Sequence, residues 1–255
     1  MLQIETTKIH GHTVHNTSSF EGFQKWVDLV KDKTETTIFR GQRKDYPLLP
    51  NICRSIERPD PGIERQKLLE NEREMFRLFK KEADPCLQVS PENDWEWLAV
   101  AQHHGLLTRL LDWTFDPYVA LWFALEKALL VKDSRPEVWV MSPLSTDVIE
   151  NLDNSLPFSG TRTKVFKSNF QIPRITAQKG CFVLFKYTEN SKDGFVPIEK
   201  NIKLRSRVSR VRVQLHSVEK ILRRLERMGY TNEKIYPDID KVAKDVLNTI
   251  KNRVR

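Results

Sequence analysis

The sequence predicts one mixed domain of helices and strands with a helical C-terminal end, and three observations carry that reading. Its 255 residues are long for one ordinary domain and short for two. Hydrophobic residues at 39% and charged residues at 30% give the balance of a globular chain that buries a core. Segments with a helical period of apolar residues are interleaved with short β-branched and aromatic runs along most of the length.

The elements follow in chain order. Ser18 and Glu21 read as a capping box, and Phe20, Phe23, Trp26, Val27 and Val30 recur at helical spacing, so a helix is expected over 19–31. TTIFRG at 36–41 is a strand that Gly41 stops, and the proline-bearing DYPLLPNICR follows as a loop. A long charged helix at about 62–82 presents Leu68, Leu69, Met75, Phe76 and Phe79 inward. The next helix starts near Asp94 and runs to the stop at Gly105. LLTRLLDWT is a buried strand, and Asp116 with Pro117 caps and opens an apolar helix reaching about 131. Strands are expected at 137–141, 181–187 and 209–215, with 142–176 as one long irregular loop. Helices at Ser217–Met228 and from Asp238 to about Val254 close the chain.

The formal charge is +8, and residues 199–255 alone hold 16 basic against 7 acidic side chains, a local balance of +9. Such a face attracts polyanions, nucleic acid above all, or serves as a solvated surface for an acidic protein. No run reaches the ~20 apolar residues that span a bilayer, and the opening residues lack a signal-peptide order, so a cytoplasmic protein with no membrane partner is expected. Cys53, Cys86 and Cys181 have neither disulfide-framework nor zinc-ribbon spacing and read as thiols, and no metal site is expected.

The densest concentration of chemistry lies in AQHHGLLTRLLDWTFDPYVALWFAL at 101–125. Strand alternation sends Asp112 and Thr114 to one face and Arg109 and Trp113 to the other, so both faces carry a charge that must be paired or opened onto a wet cleft. For Asp112 an internal arginine and a site role stand equal. His103 and His104 diverge by about 100° on a helix and cannot chelate one metal; one of them facing a pocket stands against the commoner hydrogen-bonded imidazole. Arg40 at a strand end suits a bidentate anion contact or a pairing with a carboxylate such as Asp112, and Gly41 beside it admits a ligand or another backbone. Walker A, GxGxxG, GxSxG and HExxH motifs do not occur.

FRGQ (39–42), LLPNICR (48–54), LAVAQHHGLLTRLLDWTFDPYVALWFAL (98–125), RITAQKGCFVLF (174–185) and LRRLERMGYTNEKIYPDIDKVAKDV (222–246) resemble the FRG domain family. The likeness runs from about 20 to 246 of a single domain spanning 1–255, with 217–255 as its basic two-helix end. A fainter resemblance is to mono-ADP-ribosyltransferases of the R-S-E type: IFRG is similar to their first, NAD-holding element, DWTFDPYVALWFA to the second and its helix, and AQKGCFVLF stands where the third would be. This resemblance implies an α+β fold with a split, twisted, mostly antiparallel sheet flanked by helices.

It also implies NAD as ADP-ribose donor, with Phe39, Arg40, Gly41, Gln42, Arg109, Trp113, Thr114 and Phe123 holding it. Arg40 would grip a phosphate or ribose edge, Thr114 would bond near the nicotinamide ribose, and Trp113 and Phe123 would support the nicotinamide. The third element places Gln178 or Gly180 where the family has glutamate, and Thr114 stands alone for Ser-Thr-Ser. Asp112, His103 or His104, or a group on the acceptor, is left to supply the missing carboxylate chemistry. The expected activity is ADP-ribosyl transfer to a nucleic acid, RNA favoured, in a toxin or phage-defence effector with a neutralising antitoxin partner. The rivals are a non-catalytic nucleotide- or RNA-binding module and a nuclease using a histidine with Asp112.

Overall fold

In the computed structural model, residues 5–9, 12–31, 36–55, 68–152, 156–160, 162–188 and 194–237 are described. Their strands are β1 (Glu5–Ile9), β2 (His12–Thr17), β3 (Ile38–Gln42), β4 (Leu110–Thr114), β5 (Glu137–Met141), β6 (Val148–Ile149), β7 (Lys164–Phe166), β8 (Gly180–Leu184) and β9 (Val208–Val213). They form one open sheet in the order β1-β2-β9-β5-β3-β4-β8-β7-β6, antiparallel except where β2 meets β9 and β6 meets β7. The helices are α1 (Phe20–Val30), α2 (Asn51–Ser55), α3 (Leu68–Ala83), α4 (Asp94–His103), α5 (Pro117–Leu125), α6 (Pro173–Ala177), α7 (Val218–Arg227) and α8 (Asn232–Ile235). The chain is therefore an α+β protein with a helix-flanked sheet, and no helix of the described residues is long and apolar enough to cross a membrane.

The sheet is weakest at its centre. β3 forms five residue pairs with β5, and β4 forms five with β8, but β3 and β4 share only Phe39 with Thr114. Hydrogen-bonding order is continuous, so the two halves part beyond a single rung and do not form two separate sheets.

Helices α1, α5 and α7 cover one face, packing Phe23, Trp26, Val119, Ala120, Ile221 and Leu225 on Phe39, Val138, Val140, Val211 and Val213. On the opposite face Ile38, Leu111, Trp113, Trp139 and Val183 meet Leu48, Ile52, Leu68, Phe195 and Ile198. A third cluster gathers Trp95 and Leu98 of α4 with Leu110, Phe166, Phe182 and Leu184. Both faces are thus buried over much of the sheet, which is why Arg210 of β9 is only 4% exposed. It reaches Glu137 at 3.0 Å and stacks on Trp139, and Glu137 also accepts from Gln42 and Trp139. Burial raises the Glu137 carboxyl against the opposing pull of Arg210.

Several expectations need correction. Ser19, not Ser18, caps α1, because its hydroxyl accepts from the Gly22 amide at 3.0 Å. Strand β3 runs through Gly41 to Gln42, since all five of its residues pair with β5. The expected loop at 142–176 contains β6, β7 and α6, short elements that extend the sheet edge. Strands β1 and β2 arise from the opening residues, where no element was expected. Of the 62–82 helix the described part begins at Leu68, and the final helix expected from Asp238 lies outside the described residues.

Arg109 is the largest change. It sits just before β4, 3% exposed, with Nε and Nη2 donating to Glu72 of α3 at 2.9 and 2.5 Å and its amide donating to the same carboxylate. Its guanidinium lies over the rings of Phe158 and Phe195. This arginine is a satisfied core ion pair and lies off the cleft described next, apart from the other residues expected to hold NAD.

Candidate functional site

A cleft of about 350 Å³ opens where β3 and β4 part. Three elements deliver its polar walls. The end of β3 supplies Arg40, Gly41 and Gln42, β4 supplies Asp112, Trp113 and Thr114, and the turn between α6 and β8 supplies Gln178. Phe39, His103 and Phe123 complete the expected residues found there. His104 and Arg109 do not line it, and His104 is solvent-exposed. The adjacent imidazoles meet edge to face with centroids 5.0 Å apart.

Arg40 crosses the gap. Its Nη1 donates to the main-chain oxygen of Asp112 at 2.5 Å, doing with a side chain what a further backbone rung would have done. It thereby reaches the backbone of Asp112, the residue weighed as its partner. The Asp112 carboxylate is solvent-exposed and takes Gln102 Nε2 at 3.2 Å, while Gln102 Oε1 accepts from Thr108. Far from being buried in a core ion pair, Asp112 is a wall of the cleft.

Thr114 is 5% exposed and donates its hydroxyl to Gln178 O at 2.7 Å while accepting from the Asp116 amide at 2.9 Å. With its one proton committed, it presents only acceptor capacity to a ligand. Gln178 in turn donates from Nε2 to Ile235 O at 3.0 Å, so its amide is tied to α8. Asp116 is 5% exposed, caps α5 through the Tyr118 amide and takes bonds from Lys179 and Tyr230, which locks the start of α5 to the segment before β8. The neighbouring Asp116 carboxylate, after burial, pushes the Tyr230 hydroxyl's pKa up.

Sequence reasoning missed several groups. Arg43, Tyr46, Gln102, Glu126, Arg174 and Tyr236 also line the cleft. Arg174 lies over the Tyr236 ring at 4.6 Å, and Tyr236 packs edge-on against Trp122 and Phe123. The clearest available signal was RITAQKG, a motif already tied to the third element, whose arginine precedes Gln178 by one helical turn. The cleft therefore offers Arg40, Arg43 and Arg174 as cations, Asp112 and Glu126 as carboxylates, and Phe123 and Tyr236 as ring surfaces: an anion-and-ring site by chemistry.

His103 is half-buried. Burial, then the charges of His104 and Arg174, hold its imidazole below the ordinary value, with Asp112 pulling the other way. It is accordingly neutral at pH 7 and available as a proton acceptor. A lowered folded pKa means the unfolded chain binds the proton first, so this group's contribution is complete above pH ~6.5 and is lost as pH falls through the folded value. Thermal unfolding between pH 5 and 7 should show stability falling on acidification, and His103→Gln should flatten that fall. The residual slope belongs in part to His15, which burial shifts in the same direction. An unchanged slope in the variant would place the proton uptake elsewhere.

The family model of the FRG domain matches residues 35–132. No curated protein and no solved structure matches the chain. The matched segment contains β3, β4 and α5, hence every cleft residue from Phe39 to Glu126; Arg174, Gln178 and Tyr236 stand beyond it.

Proposed function

We propose, for a chain that carries an FRG domain, an NAD-dependent ADP-ribosyltransferase whose acceptor is a nucleic acid, RNA before duplex DNA. The observation that supports this reading is the convergence of Arg40, Asp112, Thr114 and Gln178 on one cleft where the sheet parts. A cleft of 350 Å³ is at the lower end of the ~300–1,000 Å³ typical of small-molecule sites, so it suits the reacting half of a dinucleotide with the remainder along its mouth.

NAD, when bound, supplies ADP-ribose and a neutral leaving nicotinamide. Arg40, with Arg43 and Arg174, binds phosphate oxygens. Thr114 accepts a ribose hydroxyl, because its own proton is given to Gln178. Asp112 holds its negative charge beside the ribose, where positive charge develops as the glycosidic bond lengthens. Phe123 and Tyr236 exclude water and supply ring contacts. His103, neutral at pH 7, takes the proton that the acceptor loses as it attacks. An RNA acceptor suits this arrangement because an unstacked base enters a cleft without the cost of flipping it from a duplex. An enzyme of this class harms its own cell, so a neutralising partner protein, in a toxin–antitoxin pair or a phage-defence system, belongs to the proposal.

A second reading, a binding module that recognises a nucleotide or RNA without reacting, is favoured by one observation. Neither Gln178 nor Gly180 is a carboxylate, and the Gln178 amide is engaged by Ile235.

Incubation with adenylate-labelled NAD and either total RNA or total protein separates the readings. Label transferred to RNA is the expected result. Arg40→Ala should lower the rate roughly 10–150-fold, the loss of a ~1.5–3 kcal/mol charged hydrogen bond. NAD binding without transfer would leave the binding module; RNA shortening without NAD would favour the His103–Asp112 nuclease; neither binding nor transfer by folded protein would overturn the transferase.

A further inference from the structure

A second cavity of about 140 Å³ shares no residue with the cleft. It is lined by Arg162, Thr163, Lys186, Asn201, Ile202 and Lys203 around Asp147. Asp147 is 3% exposed and already doubly paired, to Arg162 Nη2 at 3.0 Å and Arg207 Nη1 at 2.8 Å. Its carboxylate also takes the Leu144 amide. The buried acid is thus consumed in holding two guanidiniums still, and it does not neutralise the lysines. Lys186 and Lys203 are exposed and have no carboxylate partner among the described residues.

We propose that this pocket binds a phosphodiester of single-stranded nucleic acid. Its volume is below the ~300 Å³ at which pockets begin to enclose a whole small molecule, so it accepts one compact group of something larger. The compact group is an oxyanion: a fixed guanidinium, two ammonium groups, and the Thr163 hydroxyl and Asn201 amide converge on the pocket. The larger thing carries repeated negative charge, because Lys164, Lys200 and Arg205 stand within three residues of the pocket's own residues in the sequence and add to its positive charge. It also carries flat apolar faces. Ile202, on the pocket wall, is 76% exposed, an apolar surface against which an unstacked base can lie beside the phosphate. Double-stranded nucleic acid keeps its bases stacked and cannot use that contact. The site is independent of NAD chemistry; with the proposed transferase it would anchor the acceptor strand outside the reacting cleft.

Fluorescence anisotropy of the full chain with a labelled single-stranded oligouridine RNA, over a series of salt concentrations, tests this. Lys186→Glu with Lys203→Glu should weaken binding at least about tenfold and reduce the log–log salt slope by roughly 0.7, the share of the one phosphate that the pocket holds on a single strand. Lys186→Arg with Lys203→Arg should restore both. NAD binding by the same Glu variant should be unchanged, because neither lysine lines the cleft, which distinguishes failure here from failure of the transferase reading. Both lysines are exposed, so unchanged thermal unfolding of the Glu variant certifies its fold. Unchanged RNA affinity and slope in that variant, or no RNA binding by the native chain, overturns the proposal. It is equally overturned if inorganic phosphate binds at the lysines without competing with RNA, or if polyglutamate binds as tightly with the same lysine dependence.

Discussion

Gly41→Ala is expected to lose more stability than a single added methyl ordinarily costs. A Cβ at this position would stand 1.8 Å from the Ala120 carbonyl oxygen and 2.7 Å from the Ala124 nitrogen, both backbone atoms of α5. No rotamer relieves such a contact, and α5 cannot simply retreat. Asp116 caps its first turn, Lys179 and Tyr230 hold that carboxylate, and Val119, Ala120 and Leu121 are buried beneath α1 and α7. The penalty should reach or exceed the upper end of the ~1–3 kcal/mol of ordinary overpacking. At ~2–4 °C for each kcal/mol in a chain approaching this size, thermal unfolding should drop by about 6 °C or more. Gly105→Ala is the control: its φ is +88° but nothing lies within 4 Å of the added carbon, so only the ~1–2 kcal/mol of left-handed backbone should be lost. Similar losses in the two variants would show that the β3–α5 contact yields easily.

The second large effect concerns Arg109, which the family resemblance assigned to ligand binding, and its partner Glu72. Glu72→Ala leaves the Arg109 guanidinium buried between two aromatic rings with no anion, and should cost about 3–5 kcal/mol in urea denaturation. Replacing both partners, Glu72→Leu with Arg109→Met, should recover most of that loss, because the expense lies in the stranded charge and not in the absent attraction. The NAD binding proposed above should survive in the double variant, as neither residue lines the cleft. A Glu72→Ala loss below about 1 kcal/mol would mean that water reaches the guanidinium.

These two residues also show what was legible in the sequence. The order helix, strand, helix over 94–125 could be read because capping and period are local: Asn93 and Asp116 cap their helices, Gly105 ends α4 with positive φ, and Pro117 opens α5. The convergence of Arg40, Asp112 and Thr114 was readable only through family resemblance, since 72 residues separate Arg40 from the carbonyl it reaches. Glu72 was invisible because a charged helix such as α3 places acids on every face, and only tertiary packing decides which one is 1% exposed. Gly41 was read as a strand stop and as a place where a ligand or another backbone comes close; a backbone does come close, and that it belongs to α5 is something no local pattern encodes. Strands β6 and β7, of two and three residues, are too short for a period-2 signal to exceed chance.

The single rung between β3 and β4 has a mechanical meaning. Two half-sheets joined through Phe39 and Thr114 alone resist shear along the strands and resist twisting about that joint much less. One side-chain bond, from Arg40 to the Asp112 carbonyl, adds a second tie across the gap. A molecule gripping the β3 side and the β4 side together acts as a spar across the opening. Amide hydrogen exchange at Gly41, Gln42 and Trp113 is therefore the gauge of occupancy: it should slow on binding even though no ligand atom need touch those nitrogens.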